Sequence, residues 1–192
     1  MRMRNLVLAA LVATTAAVPA MAQDSAPFTG PRIEGVVGWD RVQSSGHSDD
    51  VMYGVNAGYD MQMGGAVVGA EVEYSDSDNR GCDGGAATVA DPRLCLKAGR
   101  DLYVGGRVGT AIGASTLLYA KAGYTNADAK FTSNDGTTET TLAKTHLDGV
   151  RVGAGVEQKL GSKAYVKAEY RYSNYERGVE RHQALAGVGI RF

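Results

Sequence analysis

Eight segments of this sequence alternate, one position after the other, between apolar residues and polar or glycine residues. The last segment is the clearest, because Val188 and Phe192 share one parity whereas Arg191 has the other. Successive side chains of a β-strand point to opposite faces, so a period of two predicts strands with one apolar and one polar face. The predicted strands cover residues 32–42, 51–62, 66–75, 101–112, 116–126, 148–159, 164–173 and 182–192.

The polar faces of these strands carry charges of both signs, with glycines between them. Ten central charges are the candidates for a network across a barrel interior: Glu71, Glu73, Asp101, Arg107, Lys121, Arg151, Glu157, Lys167, Glu169 and Arg171. With Glu34, Asp40, Asp60 and Arg191 they make eight acids and six bases. Alternation alone leaves two architectures open, a soluble barrel with the charges outside and a membrane barrel with the charges inside.

The positions of the aromatic residues favour the membrane barrel. Seven of them fall near strand ends on the apolar face, five at one rim and two at the other: Trp39, Tyr53, Tyr74, Tyr124 and Tyr172, then Tyr59 and Phe192. Two aromatic girdles are typical of barrels that span a bilayer. The remaining apolar positions are mostly Val, Ala and Leu, which would fill the core of a soluble barrel poorly but suit contact with lipid.

The connections between the predicted strands support the same choice. Long connections at 43–50, 76–100, 127–147 and 174–181 alternate with short ones at 63–65, 113–115 and 160–163. Outer-membrane barrels have short periplasmic turns and longer external loops. The sequence therefore predicts an all-β fold, an eight-stranded antiparallel transmembrane β-barrel with both termini on the periplasmic side.

The start of the chain has the features of a cleavable signal peptide. Arg2 and Arg4 precede an apolar stretch, and a small-x-small motif ends at Ala22 before Gln23. This predicts a signal peptide at 1–22, cleavage between Ala22 and Gln23, and a barrel domain at 23–192. Removal of Arg2 and Arg4 leaves 18 basic against 21 acidic residues, a balance that argues against nucleic acid as a partner.

Several strand motifs resemble the small outer-membrane β-barrels of the OmpA-type and opacity-protein-like porin family. They are Gly58–Gln62, Val67–Glu71, Gly106–Gly109, Leu118–Gly123, Gly153–Glu157 and Glu169–Tyr172, together with the terminal strand that ends on Phe192. The resemblance implies location in the outer membrane, contact with its lipid and lipopolysaccharide, and recognition of the last strand by the barrel-assembly machinery. Because the chain ends at that strand, we expect no carboxy-terminal peptidoglycan-binding domain.

Cys82 and Cys95 lie in the second long connection. Export exposes both thiols to an oxidising compartment, so a pair within one exported loop predicts a disulfide. The alternative, a redox or metal site, is disfavoured because the pair lacks CxxC spacing and no histidine is nearby.

Three other candidate sites, a calcium loop, a catalytic triad and a deacylase site, lack required residues or a suitable arrangement. Asp76, Asp78 and Asn79 suggest a calcium loop, but Ala87 stands where an EF-hand needs Glu. Ser44, Ser45, His47, Ser48, Asp49 and Asp50 contain the residue types of a catalytic triad crowded into one short loop. His182 is followed by Gln183 and Ala184, so the His-x-Ser arrangement of lipid A deacylases is missing. We therefore expect no catalytic residue, cofactor or metal, and interpret the Gly-x-Gly pairs as relief of steric crowding in the lumen.

Two functions remain at the level of the sequence. An eight-stranded barrel is just wide enough for side chains to fill its interior, so near-balanced lumen charges predict a plug of ion pairs. The expected function is a non-enzymatic barrel that contributes to envelope integrity and presents the loops around Cys82–Cys95 and Thr132–Thr145 to an extracellular partner. The alternative is a narrow porin for passive diffusion of ions or very small solutes.

Overall fold

The structure is a computed structural model that describes residues 26–43, 47–77, 80–83, 85–88, 91, 93–134 and 136–192. The predicted signal peptide and its cleavage site between Ala22 and Gln23 lie outside these residues, as do Ser44, Ser45, Asp78 and Asn79. The signal peptide therefore stays a prediction.

Nine β-strands are present in the described part of the chain. They are β1 Gly30–Gln43, β2 His47–Met63, β3 Ala66–Ser77, β4 Arg80–Asp83, β5 Arg93–Ile112, β6 Thr116–Asn134, β7 Glu139–Leu160, β8 Ala164–Tyr175 and β9 Val179–Arg191. A single 3-10 turn, Glu176–Gly178, joins β8 to β9. Among the described residues, no helix has the length and apolar character needed to cross a membrane.

Eight of the nine strands close into one antiparallel barrel, which confirms the predicted fold. Each strand pairs with its neighbours along the chain, except that β3 pairs directly with β5 and that β4 pairs only with β5. The barrel closes between β1 and β9, where Ile33 lies opposite Ile190 and Trp39 opposite Ala184. Closure leaves no unpaired edge within the barrel wall, which is the condition for a sheet to span lipid.

The exposure of neighbouring residues decides which face of the sheet is inside. On β7, Val150 is 63% exposed whereas Arg151, the next residue, is 0% exposed. The same alternation runs along the other barrel strands, with the apolar side chains outside and the charged ones buried. The charges therefore line the lumen and the apolar face meets lipid, as predicted.

The short turns lie at one end of the barrel, close to the predicted positions. They are residues 64–65, 113–115 and 161–163. Gly64 and Gly113 adopt φ values of +63° and +66°, a left-handed conformation that glycine reaches without strain. The first residues of β1 and the last of β9 lie at this same end, which the short turns predict to be the periplasmic end of the barrel.

All four predicted long loops are wrong in extent. Loops 43–50 and 174–181 lose residues to strands, because β2 begins at His47 and β9 at Val179. Residues 76–100 and 127–147 are largely strand, because β5 begins at Arg93, β6 continues to Asn134 and β7 begins at Glu139. A period of two is visible only where one face is buried and the other is not. Above the membrane neither face meets lipid, so the apolar–polar contrast between the faces weakens while the backbone pairing continues.

These outer extensions form one structure that stands above the barrel. We call it the projecting sheet, and it consists of β4 with residues 93–100 of β5, 127–134 of β6 and 139–148 of β7. Cys82 of β4 lies opposite Cys95 of β5, and the two form a disulfide, which confirms that prediction. The disulfide links the short β4 to the outer extension of β5.

We expect the Cys82→Ala/Cys95→Ala variant to fold as a barrel but to lose the order of β4, because β4 has only four residues and one neighbour. Closing a loop of this size restricts the unfolded segment by about 3 kcal/mol in the chain-entropy model. Limited proteolysis should cut the variant faster near residues 80–92. Heat-dependent mobility in detergent gels should stay as in the wild type, and loss of that mobility shift would show that the disulfide supports the whole barrel.

Candidate functional site in the barrel lumen

Sixteen charged side chains are buried in the described part of the barrel, eight acidic and eight basic. The acids are Glu34, Asp40, Asp60, Glu71, Glu73, Asp101, Glu157 and Glu169, and the bases are Arg32, Arg107, Lys121, Arg151, Lys167, Arg171, Arg181 and Arg191. All ten charges predicted for the lumen network are among them. The signs balance because of Arg32 and Arg181, which the analysis of the sequence missed.

Both missed arginines had a signal in the sequence. Arg32 has the parity of Glu34 on the first strand and belongs to the same polar face. Arg181 lies one residue before the predicted start of the last strand, whereas β9 begins at Val179. An extension of that strand by three residues would have placed Arg181 in the lumen.

The layer nearest the periplasm is centred on one carboxylate. Asp60 Oδ1 accepts a hydrogen bond from Arg107 Nε at 2.8 Å, and its Oδ2 accepts bonds from Arg32 Nε at 3.1 Å and Arg191 Nη1 at 2.6 Å. Glu157 shares two of these partners, with Arg191 Nη2 at 2.7 Å and Arg107 Nη2 at 3.1 Å. Three guanidinium groups therefore meet two carboxylates.

Two lysines connect the middle layer. Lys121 Nζ lies 2.7 Å from Glu71 Oε1 and 3.0 Å from Glu169 Oε1. Lys167 Nζ donates to Glu34 and lies 3.2 Å from Glu169 Oε2. Each of these carboxylates contacts a cation from a different strand, so the layer bridges the lumen rather than following one strand.

The layer nearest the outside contains six charges: Asp40, Glu73, Asp101, Arg151, Arg171 and Arg181. Arg171 Nη1 donates to both oxygens of Glu73, at 2.6 and 2.8 Å. Arg181 spans two acids, with Nε 2.7 Å from Asp40 Oδ1 and Nη1 3.0 Å from Asp101 Oδ2. Lys121 lies 3.8 Å from Glu73, so the layers form one continuous network.

Inward tyrosines complete the network, and the sequence analysis missed them. The hydroxyl groups of Tyr119, Tyr165 and Tyr175 donate to Glu169, Glu34 and Asp101 at 2.7, 2.7 and 2.8 Å. Tyr103 instead presents its ring to Lys121, whose Nζ lies 4.7 Å from the ring centroid. Such contacts place a cation against the negative face of an aromatic ring.

Two lumen glycines make room for these rings. A Cβ added at Gly189 would lie 2.5 Å from the Tyr165 hydroxyl, and one added at Gly155 would lie 2.6 Å from the Tyr119 hydroxyl. Gly189 lies directly opposite Tyr165, and Gly155 directly opposite Tyr119, on the neighbouring strands. Glycine thus relieves crowding as expected, but much of the relief serves tyrosines rather than the charged side chains named in the prediction.

The segment before β1 closes the periplasmic end. Phe28 is completely buried and packs with Val67 and Leu117 inside the barrel mouth. Its carbonyl oxygen accepts a hydrogen bond from Arg191 Nη1 at 2.6 Å, and its amide donates to Gln62 Oε1 at 3.0 Å. The lumen is therefore covered at this end by an apolar side chain above which the charged layers begin.

The predicted aromatic girdles are outside the lumen. Trp39, Tyr53, Tyr74 and Tyr124 are exposed on the outward face toward the outer end, and Tyr59 and Phe192 toward the periplasmic end. Tyr172 is half-buried, with its ring centroid 5.0 Å from that of His182. These positions are those a girdle requires, and its role in anchoring the barrel stays a prediction.

Only some of the residues considered for catalysis have side chains that the structure describes. The side chains of His47 and Ser48 lie outside the described part of the structure. Asp49 instead accepts hydrogen bonds from Arg41 at 2.6 and 2.9 Å. His182 Nδ1 lies 2.7 Å from the hydroxyl oxygen of Tyr170 on the outward face. Among the described side chains, no group of three or more His, Cys, Asp or Glu could hold a metal ion.

A smaller polar cluster lies at the base of the projecting sheet. Asp128 Oδ2 accepts a hydrogen bond from Arg100 Nε at 2.7 Å, and its Oδ1 lies 2.6 Å from His146 Nδ1. Partial burial by itself would raise the pKa of the Asp128 carboxyl, but these two contacts outweigh it and lower the pKa. The Asp128 carboxylate is therefore favoured in its charged form, and its charge is balanced by Arg100 just above the outer girdle.

Comparison with known proteins identifies the family of the chain. Residues 8–192 match the family described as the outer membrane protein beta-barrel domain. The chain belongs to this family. A 22 kDa outer membrane protein of Rhizobium leguminosarum bv. viciae is 32% identical over 161 residues, which cover 76% of this chain and 70% of the relative. This member of the outer-membrane barrel family is thus located in the outer membrane, as predicted.

Solved structures of the same fold support the architecture. Ail of Yersinia pestis has 19% identity and a TM-score of 0.60 over 85% of this chain and 99% of its own. Neisserial surface protein A has 14% identity and a TM-score of 0.59, covering 85% and 98% of the two chains. The amino-terminal β-barrel domain of Pseudomonas aeruginosa OprF has 16% identity and a TM-score of 0.53, with the same coverage. At these identities the likeness concerns the fold alone.

We expect Asp60→Asn to destabilise the barrel by about 3 to 5 kcal/mol, because removing the shared carboxylate leaves buried guanidinium groups uncompensated. Urea unfolding in phospholipid vesicles, followed by the fluorescence of Trp39, measures the loss. Trp39 is the one tryptophan of the chain and faces lipid.

The matched control is Asp49→Asn. Asp49 also pairs with an arginine, but the side chain of Arg41 is 52% exposed, and exposed pairs contribute up to about 1 kcal/mol. Equal losses for Asp60→Asn and Asp49→Asn would contradict a stabilising role for the buried network.

Proposed function

We propose that this protein is a non-enzymatic, closed barrel of the outer membrane that contributes to envelope integrity and carries the projecting sheet for surface contacts. The observation that carries the proposal is the balanced network of sixteen buried charges. A conducting lumen needs water along its axis. Here the axis is occupied by ion pairs in three consecutive layers, with Phe28 beneath them.

The energetics of the ion pairs favour a lumen that stays closed over one that opens transiently. A buried charge that loses its partner costs several kcal/mol, and each acid in the lumen contacts at least one cation. A transient opening would have to separate several of these contacts at once. The closed state is therefore the expected resting state, in which the barrel does not make the membrane permeable.

The projecting sheet is the candidate surface for contacts outside the cell. It extends three barrel strands beyond the membrane, and the disulfide between Cys82 and Cys95 ties β4 to it. Ail, which has the same fold, was solved in complex with the heparin analogue sucrose octasulfate. That complex supports the proposal that a small barrel of this type can bind an external partner.

Two further parts of the proposal concern biogenesis. The signal peptide would be removed between Ala22 and Gln23 after export. The barrel-assembly machinery would recognise β9, whose outward residues end on the aromatic Phe192, before β9 pairs with β1. Both steps precede formation of the lumen network, because the layers join residues from opposite ends of the chain.

We expect the refolded protein to show no stable openings in planar lipid bilayers. The Glu73→Ala/Arg171→Ala variant removes one pair from the layer nearest the outside, so it should show brief openings, which the two remaining layers and Phe28 keep from becoming stable. The exposed-pair variant Arg41→Ala/Asp49→Ala is the control and should stay closed. Stable wild-type openings that disappear on substitution of lumen charges would favour the alternative, a narrow porin for ions or very small solutes.

The two parts of the function should separate in a shortened variant. Replacing residues 129–145 by Asn-Gly joins Asp128 to His146, which are already paired, through a two-residue hairpin turn. In a strain without the wild-type protein, this variant should restore exclusion of a hydrophobic fluorescent dye but not adhesion to host cells. A correctly folded shortened barrel that fails to exclude the dye would contradict the integrity role.

A further inference from the structure

The projecting sheet places basic residues side by side across four strands. Lys130 of β6 lies directly opposite Lys144 of β7. On its other side Lys130 lies opposite Lys97 of β5, which lies opposite Arg80 of β4. We call Lys130 and Lys144 the basic row; the backbone register continues from it to Lys97 and Arg80.

Such an arrangement is unfavourable by itself. Like charges directly opposite one another destabilise an antiparallel pair. In the part of the chain that the structure describes, no acidic side chain lies within ion-pair distance of Lys130 or Lys144. The contrast with the rest of the molecule is direct, since Asp128, two residues away, has both Arg100 and His146, and every lumen charge is paired.

One explanation for the basic row is that lysine protects a free strand edge from pairing with other chains, but this accounts for only one of the two lysines. β8 pairs with β7 from Gly149 onward, so residues 139–148 have a neighbour on one side only within the described structure. Lysine on such an edge discourages pairing with other chains, which would account for Lys144. Lys130 lies on β6, between two paired strands, and needs another explanation.

The basic row faces sideways, toward the molecules around the barrel. Lys130 follows Tyr124 by six residues on β6, and Lys144 precedes Val150 by six on β7. Tyr124 and Val150 are exposed on the lipid face, and the register is regular between each pair. An even separation keeps the side chains on one face, so the two lysines continue the lipid face above the membrane rather than facing the barrel axis.

The height of the basic row above the outer girdle indicates which groups surround it. Six residues of a strand tilted by about 40° rise by about 15 Å along the membrane normal. Because Tyr124 belongs to the predicted outer girdle, the row lies above the acyl chains, in the sugar layer of the outer leaflet. The anionic groups at that level are the phosphates and carboxylates of lipopolysaccharide.

We propose that the basic row is a binding site for the anionic sugar groups of lipopolysaccharide, which neutralise the adjacent lysines. Binding of this kind would hold neighbouring lipopolysaccharide molecules against the projecting sheet. It would also stabilise the cross-strand pair that repels itself in the absence of an anion. The site is independent of the closed lumen, so a barrel that conducted could still have it.

The test is a titration of the purified, folded protein in detergent with fluorescent lipopolysaccharide that has a phosphorylated core. The Lys130→Gln/Lys144→Gln variant should bind about 30-fold more weakly at low ionic strength, which corresponds to about 2 kcal/mol for two cations beside an anionic surface. The Lys130→Arg/Lys144→Arg variant should bind like the wild type. Added salt should reduce the difference, because Lys144 is exposed and Lys130 is partly exposed.

The matched control is Ser133→Glu/Ala143→Glu. It makes the same change in net charge on the same two strands but on the opposite face, and it should leave binding within a few fold of the wild type. Heat-dependent mobility shows that each variant is folded. An equal loss in this control, or unchanged binding in the glutamine variant, would overturn the proposal.

A second probe separates the two sources of anions. If a sulfated heparin hexasaccharide binds through Lys130 and Lys144 whereas lipopolysaccharide does not, the row serves a soluble external glycan and the proposal is wrong. If lipopolysaccharide binding depends on the row, the proposal stands, even where bilayer recordings show that the lumen conducts.

Discussion

The structure depends on the requirement that every charge inside the barrel has a partner. Eight strands leave an interior that side chains fill, and the outer face is surrounded by lipid, so neither side offers enough water to solvate an isolated charge. Eight acids and eight bases meet this requirement together. Asp60 shows how tightly the parts are coupled, since it binds arginines from β1, β5 and β9. The network therefore ties the closing strands of the barrel to its middle.

The two ends of the barrel differ in structure and in the arrangement of their charges. At the periplasmic end, short turns and Phe28 cover the lumen, and Arg191 joins the last strand to this cover through the Phe28 carbonyl. At the outer end the constraint of lipid ends, and β5, β6 and β7 continue as the projecting sheet. The charge rules differ accordingly. Inside, opposite signs alternate around shared carboxylates, whereas Lys130 and Lys144 lie together where an external anion can reach them.

The sequence was sufficient for those features that follow from a period of two. It predicted eight barrel strands, the closing pair, the outward apolar face and ten of the sixteen lumen charges as a network. It failed where the pattern loses contrast. Residues 127–134 and 139–147 show no regular apolar–polar alternation, although Ala127 and Thr132 are buried, and the sequence therefore predicts a loop there. Tyr103 and Tyr119 have lumen parity, but the sequence analysis expects aromatic residues in the girdles and so misses them. Phe28 precedes the first alternating segment, so no period reveals its position in the barrel mouth.

The sequence by itself determined the class of the protein, because alternation, balanced charge and the distribution of aromatics permit few folds other than a membrane barrel. Only the tertiary structure decided which charges meet. The partners of Arg151, for example, come from β3, β5 and β8, at sequence distances that no local pattern encodes. Strand register and barrel closure bring them together, and the same register places Lys130 beside Lys144. Local periodicity indicates which face of the sheet a residue occupies. The partners of that residue, across the lumen or on the neighbouring strand, depend on the register of all eight strands.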